Sequence, residues 1–387
     1  MRSFLESRPI PTAVLFTVVG VLPLYLTSAQ AVRLQHDLDF GRTQFGLMVS
    51  CFYLVSSIAS LWLGPRIDRS GPTGAFRTAA LLSLASAALI AGAAHRWEVF
   101  ALFLGVAGMA NAFGQLGSNL AVADAVRGAR QGIAFAAKQA AVPAGAMLAG
   151  LAVPWAGGAL SWRWVYVGAA VVALLITVVV PHYHHEPGGV GRREPATMTA
   201  PLLWLMIAAG LAGGAGNAVA SFIVDAAVTT NGYAESSAAH LLTVASLIAI
   251  ISRLSWGAII DRRHSSGTAE ATAVLSLATV GLVVLVVAGD ARVPFLIGTL
   301  LTFAGAWGWP GVMQFVTIRT IEMPAATSTG ATLAGGYLGT VVIPPLFGAT
   351  VEWLSYTAAF AGLMAMVLVA LGALHVSRRL ATVKRPV

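Results

Sequence analysis

The chain contains Gly64-Pro65-Arg66-Ile67-Asp68-Arg69 and, later, Gly257-Ala258-Ile259-Ile260-Asp261-Arg262, two copies of the pattern Gly-x-x-x-Asp-Arg. The two aspartates are separated by 193 positions in a chain of 387 residues. Each copy ends a long apolar segment, so the sequence reads as two similar halves. One half of a duplicated membrane bundle can move against the other around a shared central site, and this arrangement therefore favours transport across a bilayer.

The composition predicts an all-α membrane protein. Hydrophobic residues make up 57% of the chain and charged residues 10%, with a mean hydropathy of +0.80. A soluble protein has about 25% charged residues, and about 20 apolar residues cross a hydrocarbon core ~30 Å thick. The sequence predicts twelve such transmembrane helices, interrupted by Gly and Pro. They are 10–30, 44–64, 74–94, 98–123, 131–154, 163–181, 201–225, 236–258, 270–288, 293–318, 327–350 and 357–376.

The distribution of basic residues predicts that both termini are cytoplasmic. With the N-terminus inside, the inner segments carry 16 of the 23 lysines and arginines and the outer loops carry 5. This is the positive-inside pattern of a cell (plasma or inner) membrane protein. It also accounts for the net charge of +8, so we predict the lipid bilayer as a partner and no nucleic acid. The remaining two, Lys138 and Arg253, lie inside predicted spans.

The predicted organisation is a six-helix bundle over residues 1–181, a cytoplasmic linker over 182–200 and a second six-helix bundle over 201–387. The linker is rich in Gly, Pro and charge, as flexible connectors are. We interpret its three histidines, at positions 182, 184 and 185, as part of a solvated polar linker. The alternative is that they bind a soft divalent metal. We therefore predict no metal site and no cofactor.

Small residues repeat between the two halves. Gly132 and Gly150 lie in the fifth predicted span, and Gly330 and Gly348 lie in the eleventh with the same separation of 18. Small residues let helices approach closely in lipid, where packing drives their association. The sequence thus predicts close helix contacts at equivalent places in both halves.

Taken together, the twelve spans, the 6+6 duplication, the central inner loop and the two Gly-x-x-x-Asp-Arg motifs resemble the major facilitator superfamily of secondary transporters over essentially the whole chain. The loop motif departs from the family pattern after Ser70-Gly71, where Pro72-Thr73 replace basic residues, and the second copy is weaker. The resemblance implies two pseudo-symmetric bundles that work as a monomer. It also implies that Asp68 and Arg69 help to lock the inner gate, with Asp124 as the acidic partner.

The resemblance further identifies Arg253, four residues before Gly257, as the arginine often found in the second-half motif of the family. It assigns these residues to gating, with a role in substrate binding as the alternative. The complete set assigned to gating is Gly64, Asp68, Arg69, Asp124, Arg253, Gly257, Asp261 and Arg262.

Two polar stripes are candidates for substrate binding. Asn111, Gln115 and Asn119 recur at i, i+4 and i+8 and share one helical face. Asn217 begins a second stripe, which Ser221 and Asp225 continue. The resemblance places both stripes on cavity-lining spans. The alternative is that these side chains hydrogen-bond neighbouring helices and stabilise packing.

Lys138 is the sharpest candidate, because the only other lysine is Lys384 in the tail. A cation inside a span costs about 2.5–3.5 kcal/mol unless a partner, water or extension to the surface relieves it. One interpretation is a structural role, by extension to the inner surface or by a salt bridge to Asp124. The other is that Lys138, with Gln139 beside it, binds an anionic substrate. A buried lysine also loses its proton readily and could couple protons to transport.

Aromatic residues supply candidate walls. Trp307-Gly308-Trp309-Pro310-Gly311 is expected to break the tenth span near mid-membrane, with Gln314 following, and broken helices expose backbone groups at transporter sites. Tyr25 in the first span is a further candidate. The alternative for these aromatic residues is packing between helices.

The sequence thus predicts a secondary active transporter that works by alternating access and carries a small anionic organic solute, with proton-coupled uptake preferred. No carboxylate is expected at mid-membrane depth, which disfavours a cationic substrate. The stretch Ala137-Lys138-Gln139 with Pro143 resembles cyanate-permease-like carriers. A multidrug or metabolite efflux antiporter is the alternative within the class. A membrane receptor or enzyme is the remote one, since no catalytic constellation or nucleotide-binding loop is found.

Overall fold

The structure, a computed structural model, describes residues 8–125, 131–156, 161–183, 198–263, 267–323 and 325–383. The side chains of Asp68 and Asp261 lie outside this description, as do His184 and His185. Within the described ranges the chain is helical throughout, with no strand.

Helices α1 to α8 precede residue 181 and are called the N-half helices. They are α1 Pro9–Ala29, α2 Ala31–Leu38, α3 Arg42–Ser70, α4 Pro72–Ala93, α5 Trp97–Ala125, α6 Gln131–Gln139, α7 Ala141–Ala156 and α8 Arg163–Val178. Helices α9 to α15 follow residue 198 and are called the C-half helices. They are α9 Ala200–Thr229, α10 Glu235–Arg263, α11 Thr268–Ala288, α12 Arg292–Ala306, α13 Trp309–Thr320, α14 Ala325–Trp353 and α15 Tyr356–Val383.

Eleven of the twelve predicted spans coincide with segments long and apolar enough to cross a membrane, counted over the described residues. The exception is the predicted span 163–181, where α8 is an apolar helix of 16 residues. Large apolar side chains cover the outside of the bundle: Trp62 is 68% exposed and Val178 75%. Such a surface is stable only against hydrocarbon.

Two interruptions divide predicted spans. The tenth span breaks between α12 and α13 at Trp307 and Gly308, as predicted from the Trp-Gly-Trp-Pro-Gly stretch. Pro310 lies in the first turn of α13, where its missing amide hydrogen costs nothing. The fifth span, predicted as one continuous helix over 131–154, also breaks, between α6 and α7 at Ala140. Both breaks lie beside the cavity described below.

The two Gly-x-x-x-Asp-Arg motifs form the last turns of α3 and α10. Gly71 ends α3 with φ of 82°, and Gly267 precedes α11 with φ of 77°. Positive φ is strained for residues with a Cβ, so glycine is the natural residue at both turns. The repeat found in the sequence is therefore a repeat of two helix ends.

The N-half and C-half helices meet mainly along two pairs, α3 with α14 and α7 with α10. Gly150 in α7 and Gly348 in α14 occupy equivalent places in these contacts. A Cβ at Gly150 would collide with the carbonyl of Ala239, and one at Gly348 with the carbonyl of Arg42. The close contacts predicted from the glycine repeat are thus confirmed at this pair. Gly330, by contrast, faces open space.

Candidate functional site

A cavity of about 120 Å³ lies between the N-half and C-half helices. Its polar and aromatic lining comes from α3, α5 and α6 on one side and from α9, α10, α13, α14 and the α12–α13 break on the other. These lining residues are Tyr53, Asn111, Gln115, Gln139, Asn217, Arg253, Trp307, Trp309, Tyr337 and Thr340. The cavity is amphipathic, because amide, hydroxyl and guanidinium groups alternate with aromatic faces.

Five of the nine predicted substrate residues line this cavity. They are Asn111, Gln115, Gln139, Asn217 and Trp309. Lys138 contacts the lining through Gln115. Tyr25 is fully buried behind Tyr53, with the two hydroxyl oxygens 3.5 Å apart. Asn119 and Gln314 are half-buried and are not part of the lining.

The amides of α5 and α9 have different degrees of hydrogen bonding. Asn111 Nδ2 donates to Ser56 Oγ at 2.8 Å, while Asn111 Oδ1 is buried and has no hydrogen-bond partner among the described residues. Asn217 accepts from the Tyr53 hydroxyl at 2.5 Å and donates from Nδ2 to the carbonyl of Gly213. Asn217 therefore links α9 to α3 across the cavity. Asn111 keeps an unsatisfied polar atom, which is costly in an apolar interior.

Lys138 lies at the end of α6, next to the break at Ala140, and is 1% exposed. Its Nζ donates a hydrogen bond to Gln115 Oε1. No carboxylate lies within ion-pair distance of Lys138 in the part of the chain that the structure describes, and Asp124 is exposed at the end of α5. The amine is therefore directed into the protein, and its described partner is an amide and not an acid.

Arg253 lies in the cavity wall itself, with 9% exposure. Its Nε donates to the carbonyl of Trp307 at 2.5 Å, and its Nη1 donates to the carbonyl of Gln139. The guanidinium carbon is 6.0 Å from the centroid of the Trp307 ring. Arg253 thus connects α10 to both helix breaks. The family resemblance assigned this residue to the gating set; its place in the structure is the cavity lining.

The other residues predicted for gating lie at helix ends, away from the cavity. Gly64 is buried and Gly257 half-buried, while Arg69, Asp124 and Arg262 are exposed at the ends of α3, α5 and α10. The side chains of Asp68 and Asp261 are outside the described residues. α3 begins at Arg42, which pairs with Asp225, and α10 begins at Glu235, which pairs with Arg33, so both helices start at one end of the molecule. Their motif ends therefore lie together at the other end, which we call the motif face.

The opposite end, called the Asp225 face, carries polar contacts between the halves. Arg42 Nε lies 2.7 Å from Asp225 Oδ2, and the Tyr356 hydroxyl donates to the same carboxylate. Gln35 Nε2 donates to Asp225 Oδ1 at 3.2 Å. Arg33 pairs with Glu235 nearby. Asp225 was read as the continuation of a substrate-binding stripe; in the structure it joins the halves at this face.

The sequence analysis does not single out Tyr53, Tyr337 and Thr340, whereas Trp307 is one of its candidate wall residues and does line the cavity. Tyr53 and Tyr337 give no periodic signal in apolar helices, so the sequence does not single them out. Arg253 did carry a usable signal, because it shares with Lys138 the property of being a cation inside a predicted span. The burial cost that pointed to Lys138 applies equally to Arg253.

Over the described residues, eleven segments are long and apolar enough to cross a membrane and a cavity with polar lining lies between the halves, an arrangement typical of multi-pass membrane transporters. The model of the Major Facilitator Superfamily matches residues 12–332. The chain belongs to this family, and it is accordingly a transporter and not an enzyme. No curated protein matches the sequence significantly.

Solved structures with the same fold cover nearly the whole chain. A bacterial homologue of the human lysosomal transporter Spinster, in an inward-facing and unoccupied conformation, gives a TM-score of 0.74 at 13% identity, covering 99% of this chain and 98% of that one. The human organic anion transporter MFSD10 gives 0.69 at 16% identity, covering 95% and 99%. The fucose:proton symporter FucP of E. coli gives 0.65 at 16% identity, covering 94% and 97%. At these identities the likeness establishes the fold.

Proposed function

We propose that the protein is a secondary active transporter that moves a small anionic organic solute by alternating access, with proton-coupled uptake. The observation that carries this proposal is the buried amine of Lys138, which is bonded to Gln115 beside the cavity and has no carboxylate partner among the described residues. A cation in such a site is costly unless an anion joins it. The substrate is the natural source of that anion.

The remaining roles follow from the cavity lining. Gln115, Asn111 and Asn217 orient the solute, and Trp309 and Gln139 bound it. Asn119, Gln314 and Tyr25 stay predictions as substrate residues, since other conformations of the cycle expose other surfaces. A structurally similar human protein is named an organic anion transporter, and a similar bacterial protein a proton symporter; both names are in line with this proposal.

We propose that the chain spans the cell (plasma or inner) membrane twelve times, with α8 as the short sixth span and both termini in the cytoplasm. The distribution of 16 inner against 5 outer basic residues supports this orientation. The N-half helices, a linker over residues 182–200 and the C-half helices then form two bundles in a monomer. In this orientation the Asp225 face is extracytoplasmic and is closed by the contacts of Asp225 and Arg33. The motif face is cytoplasmic and carries the gating residues.

Transport into proteoliposomes tests the proposal. Wild-type protein and Lys138→Ala are compared for uptake of small organic acids, small inorganic anions and cationic dyes, with and without a pH gradient. Arg96→Gln is the matched control, because Arg96 is an exposed cation paired with Glu98 at the surface. Anion uptake that Lys138→Ala abolishes and Arg96→Gln preserves is the expected result. Dye movement that is unchanged in Lys138→Ala, with no anion uptake, would replace this proposal by an efflux antiporter.

A further inference from the structure

We infer that Arg253 is a second substrate anchor and that the substrate is a small dianion, of the dicarboxylate class. This inference rests on the proposed anion transport and goes beyond it, because it assigns a binding residue in the C-half and a charge to the solute. Lys138 would hold one acidic group from the N-half, and Arg253 the other from the C-half.

The hydrogen bonds of Arg253 leave it able to bind an anion. Nε and Nη1 donate to the carbonyls of Trp307 and Gln139, and Nη2 has no partner among the described residues. Neutral carbonyls hold the guanidinium in place without neutralising its charge. Nη2 can therefore donate charge-assisted hydrogen bonds to a carboxylate, the anion that guanidinium groups bind well.

Arg253 donates a hydrogen bond to the backbone carbonyl of Gln139, the residue next to Lys138, so the two basic residues are neighbours in the structure. Neither has a carboxylate within ion-pair distance in the described part of the chain. Asp225, a buried acid of α9, is already paired with Arg42 at the Asp225 face. When Lys138 and Arg253 are both protonated, a monoanion compensates only one of the two buried charges. A dianion compensates both.

The size and the remaining lining agree with this class. A cavity of about 120 Å³ is comparable with the ~150 Å³ cavity that accepts benzene, so it fits a solute of roughly six to eight non-hydrogen atoms. Dicarboxylates of three or four carbons have this size. Asn217 and Tyr53 line the same cavity and offer further polar contacts, while Trp307 and Trp309 provide apolar faces for the carbon chain.

Because the two anchors come from opposite halves, the substrate would tie the halves together. Rocking of one half against the other around a central site is how this architecture changes its access. A dianion held by Lys138 and Arg253 would therefore favour states in which both anchors face it. A monoanion could bind only one of the two anchors at a time, so its binding would be poorly coupled to the rocking of the two halves.

The test measures binding to purified full-length protein at constant ionic strength, with malonate and succinate as dianion probes and acetate and butyrate as monoanion probes. The variants are Arg253→Gln, which removes the charge, Arg253→Lys, which keeps it, and Arg96→Gln as the surface control. Folding is checked by monodispersity and thermal midpoint. We expect wild type and Arg96→Gln to bind a dianion at least about tenfold more tightly than the matched monoanion. Arg253→Gln should lose on the order of tenfold to a hundredfold in dianion affinity, and Arg253→Lys should recover part of it.

Two results overturn the inference and are distinguishable. In the first result, anions are transported and Lys138→Ala abolishes their uptake, so the proposed anion transport stands. The role of Arg253 is nevertheless wrong if Arg253→Gln binds dianions as tightly as wild type does. It is equally wrong if wild type binds monoanions as tightly as dianions. If no anion of either charge binds or is transported, both the proposed function and this inference fail. If Arg253→Gln is misfolded, the role of Arg253 is tested by two other measurements: the preference of wild type for dianions over monoanions, and the dianion affinity of Arg253→Lys. An unchanged affinity in Arg253→Lys together with no preference would overturn the inference.

Discussion

Arg42 and Asp225 form an ion pair between the first turn of α3 and the last turns of α9, with Nε and Oδ2 2.7 Å apart. The Asp225 side chain is 2% exposed, and that of Arg42 28%. Tyr356 donates to the same carboxylate from the start of α15. Three helices from both halves therefore meet at one buried charge, and the Asp225 face depends on it.

Asp225→Asn should open the Asp225 face. Removing one partner of a buried ion pair destabilises a protein by about 3–5 kcal/mol. Here the substitution destabilises the conformation in which the two halves touch at the Asp225 face. We expect a second, longer-distance population between spin labels at Arg96→Cys and Asp290→Cys in a Cys51→Ser background, two exposed positions in opposite halves. The control is Asp39→Asn, the same chemical change at an exposed residue near this face. Identical distance distributions in wild type and Asp225→Asn would contradict the prediction.

Gly150→Ala should destabilise the contact between α7 and α10. The added Cβ would meet the carbonyl of Ala239 and the side chain of Thr243, and overpacking of this kind costs about 1–3 kcal/mol. We expect a lower thermal midpoint in detergent at a fixed scan rate. Gly362→Ala is the matched control, because nothing lies within 4 Å of its Cβ position and alanine favours a helix. Equal midpoints for the two variants would show that the halves are not closely packed at Gly150.

Gln115→Glu should abolish anion uptake without unfolding the protein. Lys138 Nζ donates to Gln115 Oε1, so a carboxylate at this position would pair with the amine permanently. The expected readouts are loss of uptake in proteoliposomes with an unchanged or higher thermal midpoint. Gln115→Ala removes the same hydrogen bond without adding a charge, and it should retain partial uptake. Full uptake by Gln115→Glu would mean that Lys138 does not contact the anion.

Tyr53→Phe should weaken transport moderately. The hydroxyl donates to Asn217 Oδ1 across the cavity, and a neutral hydrogen bond contributes about 0.5–1.5 kcal/mol. We expect the apparent KM to rise by roughly twofold to tenfold, because the Asn217 amide loses its orientation. Tyr233→Phe serves as the comparison, since the Tyr233 hydroxyl donates to the carbonyl of Arg292 at the start of α12, outside the cavity. A Tyr53→Phe variant with the KM of wild type would remove Tyr53 from the site.

Much of this fold could be predicted because membrane helices carry their signal locally. Each span is a run of apolar residues of fixed length, and the break at Trp307 and Gly308 follows from a Pro and two Gly within a few positions. The break at Ala140 carries a similar signal in Pro143, which has no amide hydrogen to donate to the carbonyl of Gln139 four residues earlier, although a single Pro is a weaker signal than the Gly-Trp-Pro-Gly run. Helix α8 is shorter than the predicted span 163–181 because it ends at Val178. The apolar run continues beyond that residue, so apolarity alone does not define the helix end.

The candidate site was predictable where burial is costly. Lys138 and Arg253 are basic residues deep inside predicted spans, and in the structure Arg253 lines the cavity while Lys138 bonds the lining residue Gln115. Amides carry a weaker signal, because i, i+4 spacing fixes a shared face but not how far along the helix the cavity extends. Asn111 and Gln115 therefore line the cavity, whereas Asn119, one turn further, does not.

The sequence by itself determined the class of this protein: its apolar runs, its repeated motif and its basic residues are properties of single segments, readable without knowing which segments touch. Only the tertiary structure decided the partners. Asp225 lies on the same helical face as Asn217, yet it pairs with Arg42, 183 positions away, while Asn217 lines the cavity. Arg253 belongs to the helix that ends in the motif, yet it lies against Trp307 and Gln139. Helical periodicity fixes direction around an axis, whereas contacts between helices depend on crossing points that no single segment encodes.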